Sequence, residues 1–295
     1  MTDVALEGTE MLALPDGLAA FAAANGWRYD ATADPPALGA SLWEWASNGT
    51  VHDRVSGPGW EAGRITGGTR EATSVTHNGA WTVTRSVSVS TPQSAIDLGY
   101  LAIMLPRRLP QMVLDATRND RHGASSLLHV PSADQALSLE GDFDRHFRLY
   151  APTGYERDAL YVFTPDLMAL LIDEAGDLDV EIRDDKLMVY RPGGFDLHDP
   201  AIWERFARIR RTIGAKAWNQ TDMYQDERAG APTLALAGPA DNTVAPQGAR
   251  LRGSFVRGSL LHTVPWWLWA ILGVAAVCAL GGAALAIAAA VGLLI

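Results

Sequence analysis

Cysteine and lysine are the scarce residues of this chain. Cys278 is the single cysteine in 295 residues, and Lys186 and Lys216 are the only lysines among 24 basic residues. One cysteine excludes an intrachain disulfide and a thiolate metal cluster, and it suits a reducing cytosol. With alanine abundant, the preference for arginine over lysine reads as coding bias rather than function. The formal net charge of −10 excludes nucleic acid as the main partner, because phosphate binding needs a basic surface. Neither G-x-G-x-x-G nor G-x-x-x-x-G-K occurs, so neither common route to nucleotide binding has support. No H-E-x-x-H pattern links His77, His146 and His198, and no G-x-S-x-G elbow surrounds a serine. Nothing in the pattern calls for a cofactor or a metal.

The last stretch lacks charge altogether. From Pro265 the chain reads WWLWAILGVAAVCALGGAALAIAAAVGLLI to Ile295 without one charged side chain. A span of roughly 20 apolar residues crosses a hydrocarbon core of about 30 Å, so this run is long enough, with some tilt. Twelve large aliphatic side chains lie between Leu268 and Ile295. At about −0.3 to −0.6 kcal/mol each they contribute roughly −4 to −7 kcal/mol to insertion. The expectation is one C-terminal transmembrane helix over 265–295. Arg250, Arg252 and Arg257 precede it and no acid follows Asp241, while Trp266, Trp267 and Trp269 mark the headgroup level. Basic flanks stay on the cytoplasmic side, which gives a single-pass cell-membrane protein with its N-terminal domain cytoplasmic. The acidic MTDVALEGTEMLALPDG has no basic n-region and does not read as a secretory signal. Cys278, Gly282, Ala286 and Ala290 recur at every fourth residue. That small-residue face is a candidate helix–helix contact and so a route to a homodimer.

The rest of the chain has enough apolar residues for a core, with seven of its ten tryptophans outside the anchor. A helix is expected from Leu14-Pro15-Asp16 to Gly26, then short strands at 50–55 and 60–66. The alternation of Ala80–Ser90, AWTVTRSVSVS, predicts a strand, and Leu98–Leu105 a more buried one that pairs with it antiparallel. Pro106-Arg107-Arg108-Leu109-Pro110 is read as a bend, residues 116–135 as a polar loop, and 137–149 as two extended segments turning at Gly141. Thr164-Pro165-Asp166 predicts an N-capped helix. Leu178, Val180 and Ile182 against Asp177, Asp179 and Glu181 predict a strand with a solvated acidic face, and Asp184-Asp185 a hairpin turn into KLMVY. Asp199-Pro200 opens a helix with Ile202, Phe206, Ile209 and Ile213 on one side, running to Lys216. Residues 226–264 are rich in Ala, Pro and Gly and read as a flexible tether with a basic end. The fold class is therefore α+β, a largely antiparallel sheet with packed helices over 1–225, ahead of the tether and the membrane helix.

Two surfaces invite a chemical reading. Asp120, His122, Ser125, Ser126 and His129 in the loop 119–129 contain the residue types of a Ser/His/Asp arrangement, although such groups converge in space rather than in sequence. A polar loop is the simpler account. Arg205, Arg208, Arg210 and Arg211 give the last helix a basic face; Arg205, Arg208 and Arg211 are candidate contacts to anionic lipid, against plain pairing with the chain's own acids. Asp177, Asp179 and Glu181 lack the glycine turn and distal glutamate of a calcium loop.

Leu139-Glu140-Gly141-x-Phe143-x-x-x-Phe147 with Tyr150, Thr164-Pro165-x-Leu167-Met168 and the acidic segment after it resemble a set of uncharacterised bacterial membrane proteins. These are mostly actinobacterial and carry a domain of unknown function. The resemblance covers residues 95–215 and implies a bacterial membrane protein; it implies no activity and no site residues. Taken together, the sequence points to a membrane-tethered cytoplasmic binding or scaffold domain with an unknown protein partner, not an enzyme. The alternatives are a membrane-associated hydrolase built on 119–129 and a domain binding an apolar ligand or lipid.

Overall fold

The computed structural model describes residues 17–34, 49–67, 69–78, 81–90, 97–120, 125–127, 129–139, 141–229 and 242–255. The chain divides into two units, Met1–Ser254 and Phe255–Ile295, and all of the described residues except Phe255 belong to the first. The expected membrane helix lies outside the described residues, together with Arg257, Trp266, Trp267, Trp269, Cys278, Gly282, Ala286 and Ala290. Among the described residues, no helix is long and apolar enough to cross a membrane.

The described fold is α+β with antiparallel strand pairing, as the alternation of short apolar strands and capped helices predicts. Helix α1 (Leu18–Ala24) buries Leu18, Phe21 and Ala22, and Gly26 ends the turn at a φ of 68° that favours glycine. Strands β1 (Arg28–Ala33), β2 (Gly49–Gly57) and β3 (Trp60–Gly67) form a meander that joins β6 (Asp97–Ala116). Among the described residues, strands β4 (Thr69–Asn78) and β5 (Trp81–Ser90) pair only with each other, as a separate two-stranded sheet. This corrects the expected pairing of 80–90 with 98–105: β6 gives those residues to β3 on one edge and to β10 (Asp179–Pro192) on the other. Local alternation shows that a strand has two faces, but not which strand lies beside it.

Strand β6 is the spine. It runs for 20 residues straight through Pro106 and Pro110, where a bend was expected, and β10 (Asp179–Pro192) pairs with it from Leu98 to Leu114. The expected hairpin at Asp184-Asp185 is likewise absent, since β10 continues through both residues. The two irregularities face each other. The register passes from Lys186 opposite Met104 to Asp184 opposite Leu109, so Leu105–Arg108 bulge out against Asp185. Asp184 takes a left-handed φ of 50° at this point. A proline cannot donate to the ladder, and a bulge on the same stretch removes the need for it to do so. The turn chemistry of both segments was real; two long strands absorbed it as one shared bulge.

Beyond β6 the order continues to β9 (Phe147–Tyr150) and β8 (Ala136–Leu137), with Gly141 turning the chain between them at a φ of 77°. Helices α2 (Glu156–Val162), α3 (Pro165–Ala175), α4 (Pro200–Ile209) and α5 (Ala215–Thr221) follow, the last two joined by a wider π turn at Arg210–Gly214. Asp199 caps α4 as expected, accepting from Ala201 N at 2.9 Å. Thr164 precedes α3 but makes no capping bond, and its hydroxyl is buried without a partner. Helix α2 had no sequence signal, because Glu156–Val162 is short and its start carries no capping side chain.

Both faces of β6 are covered. On one, Leu101, Ile103, Leu109, Met112 and Leu114 pack with Val180, Ile182 and the helices in the main core. An aromatic group of Phe21, Trp27, Trp60 and Trp203 closes one end of that core, with ring centroids 4.9–6.4 Å apart, and the Arg210 guanidinium lies 4.2 Å over Trp60. On the other face, Leu98, Tyr100, Ala102 and Val113 pack with Val51, Ile65, Met188, Tyr190, Leu127 and Leu251. Leu251 belongs to the segment read as a flexible tether. In its described part that reading is corrected. Residues 242–252 are pinned across the sheet, and β11 (Gly253–Phe255) pairs with β7 (His129–Pro131). Ala, Pro and Gly allow close backbone approach as readily as they allow flexibility. A Cβ on Gly248 would lie 2.4 Å from the Tyr155 ring.

Gly99 tests the spine. A Cβ there would meet Phe195 Cδ2 at 2.4 Å and the Phe195 backbone N at 2.7 Å. Gly99→Ala is expected to lower stability by about 1–3 kcal/mol through overpacking, read as a fall in urea midpoint at unchanged slope.

Candidate functional site

The second face of the sheet carries the chemistry. Along β10, Val180 and Ile182 face the main core, so period two sends Asp179, Glu181 and Arg183 to the other side. The sequence predicts a solvated face for Asp179 and Glu181; instead they are 1% and 0% exposed. They are buried because the polar loop and the pinned segment lie over them. Gln111 and Asp115 of β6, also buried, join them from the neighbouring strand. Burying ionisable groups costs several kcal/mol unless partners are supplied, and the partners come from the covering segments.

Asp179 accepts from Ala116 N at 2.9 Å and from Ser126 Oγ at 2.8 Å, with Ser126 Oγ also 2.7 Å from Asn119 Oδ1. Asp115 accepts from Ser125 Oγ at 2.9 Å and from Arg148 Nη1 at 2.8 Å. Arg148 closes a fork on Asp120, at 3.1 and 2.5 Å. Gln111 donates to Glu181 Oε1 at 2.8 Å, accepts from Leu251 N at 2.8 Å, and gives its backbone N–H to Gly248 O. Burial pushes the Asp179 carboxyl up to about 7, against the opposing pull of its hydrogen bonds from Ala116, Asn119 and Ser126. Burial also raises Asp115, with Arg148 and Ser125 acting against it. The Tyr190 phenol is held well above its ordinary value by burial and by the charge of Glu181.

A second network pins the returning chain. Asp226 accepts from Tyr155 OH at 2.7 Å and from Ala245 N at 2.9 Å. Arg228 bridges Asp158 and Asp226 at 3.0 and 3.2 Å, while Tyr224 OH donates to Asp158 at 2.7 Å. Burial alone would raise Asp226. The bonds from Ala245, Tyr155 and Arg228 outweigh it and hold the carboxyl below its ordinary value.

The loop singled out in the sequence is therefore brought to the buried carboxylates. Ser125 and Ser126 are spent on Asp115, Asn119 and Asp179, and Asp120 on Arg148. His122 lies outside the described residues, and His129 opens β7. The arrangement orients hydroxyls as donors that satisfy carboxylates. Sequence reasoning missed Asp115, Arg148 and Gln111, which sit in apolar strand patterns; a carboxylate inside the hydrophobic run MVLDA was the one signal that could have found them. On the last helices, Arg205 holds Asp177, with Nη1–Oδ2 at 3.1 Å and a second, closer contact through Nη2; Arg208 pairs with Glu174 at 3.1 Å. Arg211 is exposed. Burial lowers Arg210 to about 10. Arg252, expected at the membrane interface, is bonded to Asp134 at 2.6 Å and to Thr153 at 3.0 Å; Arg250 is exposed. Among the described residues no group of His, Cys, Asp and Glu is placed to hold a metal ion.

No family model matches the chain, and no curated protein matches it. Among solved structures, the crystal structure of the mycobacterial trehalose monomycolate transport factor A, TtfA, matches with a TM-score of 0.39 and 12% identity, over 68% of this chain and 91% of that one. A likeness at that level carries no argument about activity.

The two networks titrate in opposite senses. A carboxyl raised from 3.8 to about 7 binds more protons in the folded state. Stability from Asp179 is therefore greatest below pH 3.8 and is lost as pH rises to 7, a penalty on the order of 4 kcal/mol. Asp226, lowered, contributes stability above its unfolded value and loses it in acid. Asp179→Asn is expected to gain melting temperature relative to the parent between about pH 5 and pH 8, whereas Asp226→Asn is expected to lose most near pH 8 and least in acid. Parallel thermal melts across that range check both signs.

Proposed function

We propose that this chain is a membrane-tethered cytoplasmic domain that binds or scaffolds a partner and catalyses no reaction. The observation that carries the reading is the uncharged run Trp266–Ile295, preceded by arginines and opened by three tryptophans. Such a run partitions into a bilayer, and the basic flank keeps the preceding domain on the cytoplasmic side. Two features of the described unit support the non-enzymatic part. The serine hydroxyls of 125–127 serve buried carboxylates, and Asp120 is held in a fork by Arg148. Both are the arrangements of a loop fastened down. The pinning of 242–255 supports the tethered part in a refined form: residues 256–265 alone connect the docked segment to the apolar run, a shorter link than composition suggests.

Anchoring is tested by carbonate extraction of membranes from cells making the full chain. The parent is expected in the pellet. Leu280→Lys with Leu285→Lys costs about 2.5–3.5 kcal/mol per charge on an insertion scale, which cancels most of the favourable sum. That double variant is expected in the supernatant. A parent protein that is itself released by carbonate overturns the reading.

A further inference from the structure

Four of the exposed large apolar side chains belong to two helices that pack together and to a residue just beyond them. Leu160 and Tyr161 lie on α2, Trp218 on α5, Met223 just beyond it, and Met104 on β6, with Leu160 58% and Met223 74% exposed. These elements pack on one another: α5 against both α2 and β6. Gln220 Nε2 donates to Tyr161 O at 2.7 Å, the Tyr161 and Tyr224 rings stand 6.0 Å apart, and Arg107 Nε reaches Asp222 O at 2.8 Å. Four of these side chains thus sit where α2 and the end of α5 meet, while Met104, two residues beyond Ala102, lies on the other face of the sheet. Exposed apolar groups scattered singly need no explanation; a gathered set marks a surface that something covers.

Resting on the membrane-tethered reading, we propose that this surface seats against the lipid bilayer, with Leu160, Tyr161, Trp218 and Met223 entering the headgroup level. The course of the chain argues for lipid as the occupant. The returning segment begins beside the patch, where Asn242 and the Arg108 backbone exchange hydrogen bonds of 2.8 and 2.7 Å. It then passes Thr153, three residues ahead of α2, through Arg252. From Phe255 only residues 256–265 lead to the apolar run, and ten residues span at most about 35 Å. The side chains suit that level: Trp and Tyr are amphipathic and settle at headgroups, and Leu and Met fill the acyl boundary. Exposed Arg108 and Arg157 border the patch, as do the exposed acids Glu156 and Asp222. The attraction is therefore apolar burial rather than net charge.

The test uses the full chain with Cys278→Ser, which removes the single cysteine. Met223→Cys is then labelled with a polarity-sensitive fluorophore and reconstituted into phosphatidylcholine–phosphatidylglycerol vesicles. Ala31→Cys, exposed on β1, serves as the reference. The label at 223 is expected to shift to the blue and to be quenched by brominated lipid, with the label at 31 unaffected. A water-like, unquenched signal at 223 in vesicles that retain the protein through carbonate overturns the seating while leaving the anchor intact. Loss of the protein to the carbonate supernatant overturns both. A blue shift without bromolipid quenching means that a second copy covers the patch, and overturns the lipid assignment.

Discussion

Everything in this fold is arranged around a strand that is buried on both faces. Once helices cover one side of β6 and β10, and a loop and a returning segment cover the other, every polar group on those strands must find a partner without water. An unpaired buried donor or acceptor costs about 1–3 kcal/mol, and more if charged. The second face meets that requirement with Ser125, Ser126, Arg148 and the backbone of 248–252. The loop and the segment are therefore held in place by the strands they cover.

This constraint changes what the polar residues of the loop mean. Serine, aspartate and histidine in one short stretch offer the parts of a hydrolytic site, yet the geometry sends each described hydroxyl to a carboxylate or a carboxamide. It also decides the character of the acidic strand. Asp179 and Glu181 would be ordinary surface groups on a two-layer sheet with one open face; a third layer makes them interior groups, and burial lifts Asp179 towards neutrality.

The bulge shared by Leu105–Arg108 and Asp184–Asp185 has a second role. It lets β6 continue past two prolines, and it projects Arg107 and Arg108 to the end of α5 and to Asn242. The same irregularity thus positions the exposed apolar patch and the start of the returning chain.

The sequence by itself determined the elements whose signals are local. The capping aspartate and proline at 199–200, the glycine ending α1, the strands at 50–55 and 60–66 and the α+β class all follow from dihedral preference and side-chain period, which act within a few residues. The uncharged run at the C-terminus was legible for the same reason, because it is a property of contiguous composition. Tertiary structure alone decided that 81–90 pairs with 69–78 rather than with β6, and that Pro106–Pro110 and Asp184-Asp185 lie opposite one another. It alone also decided that an acidic strand face is interior and that an Ala/Pro/Gly stretch docks. Each of these depends on which distant segment supplies the neighbour. Period and propensity fix the direction in which a side chain points, but the layer it meets there is set by the rest of the chain.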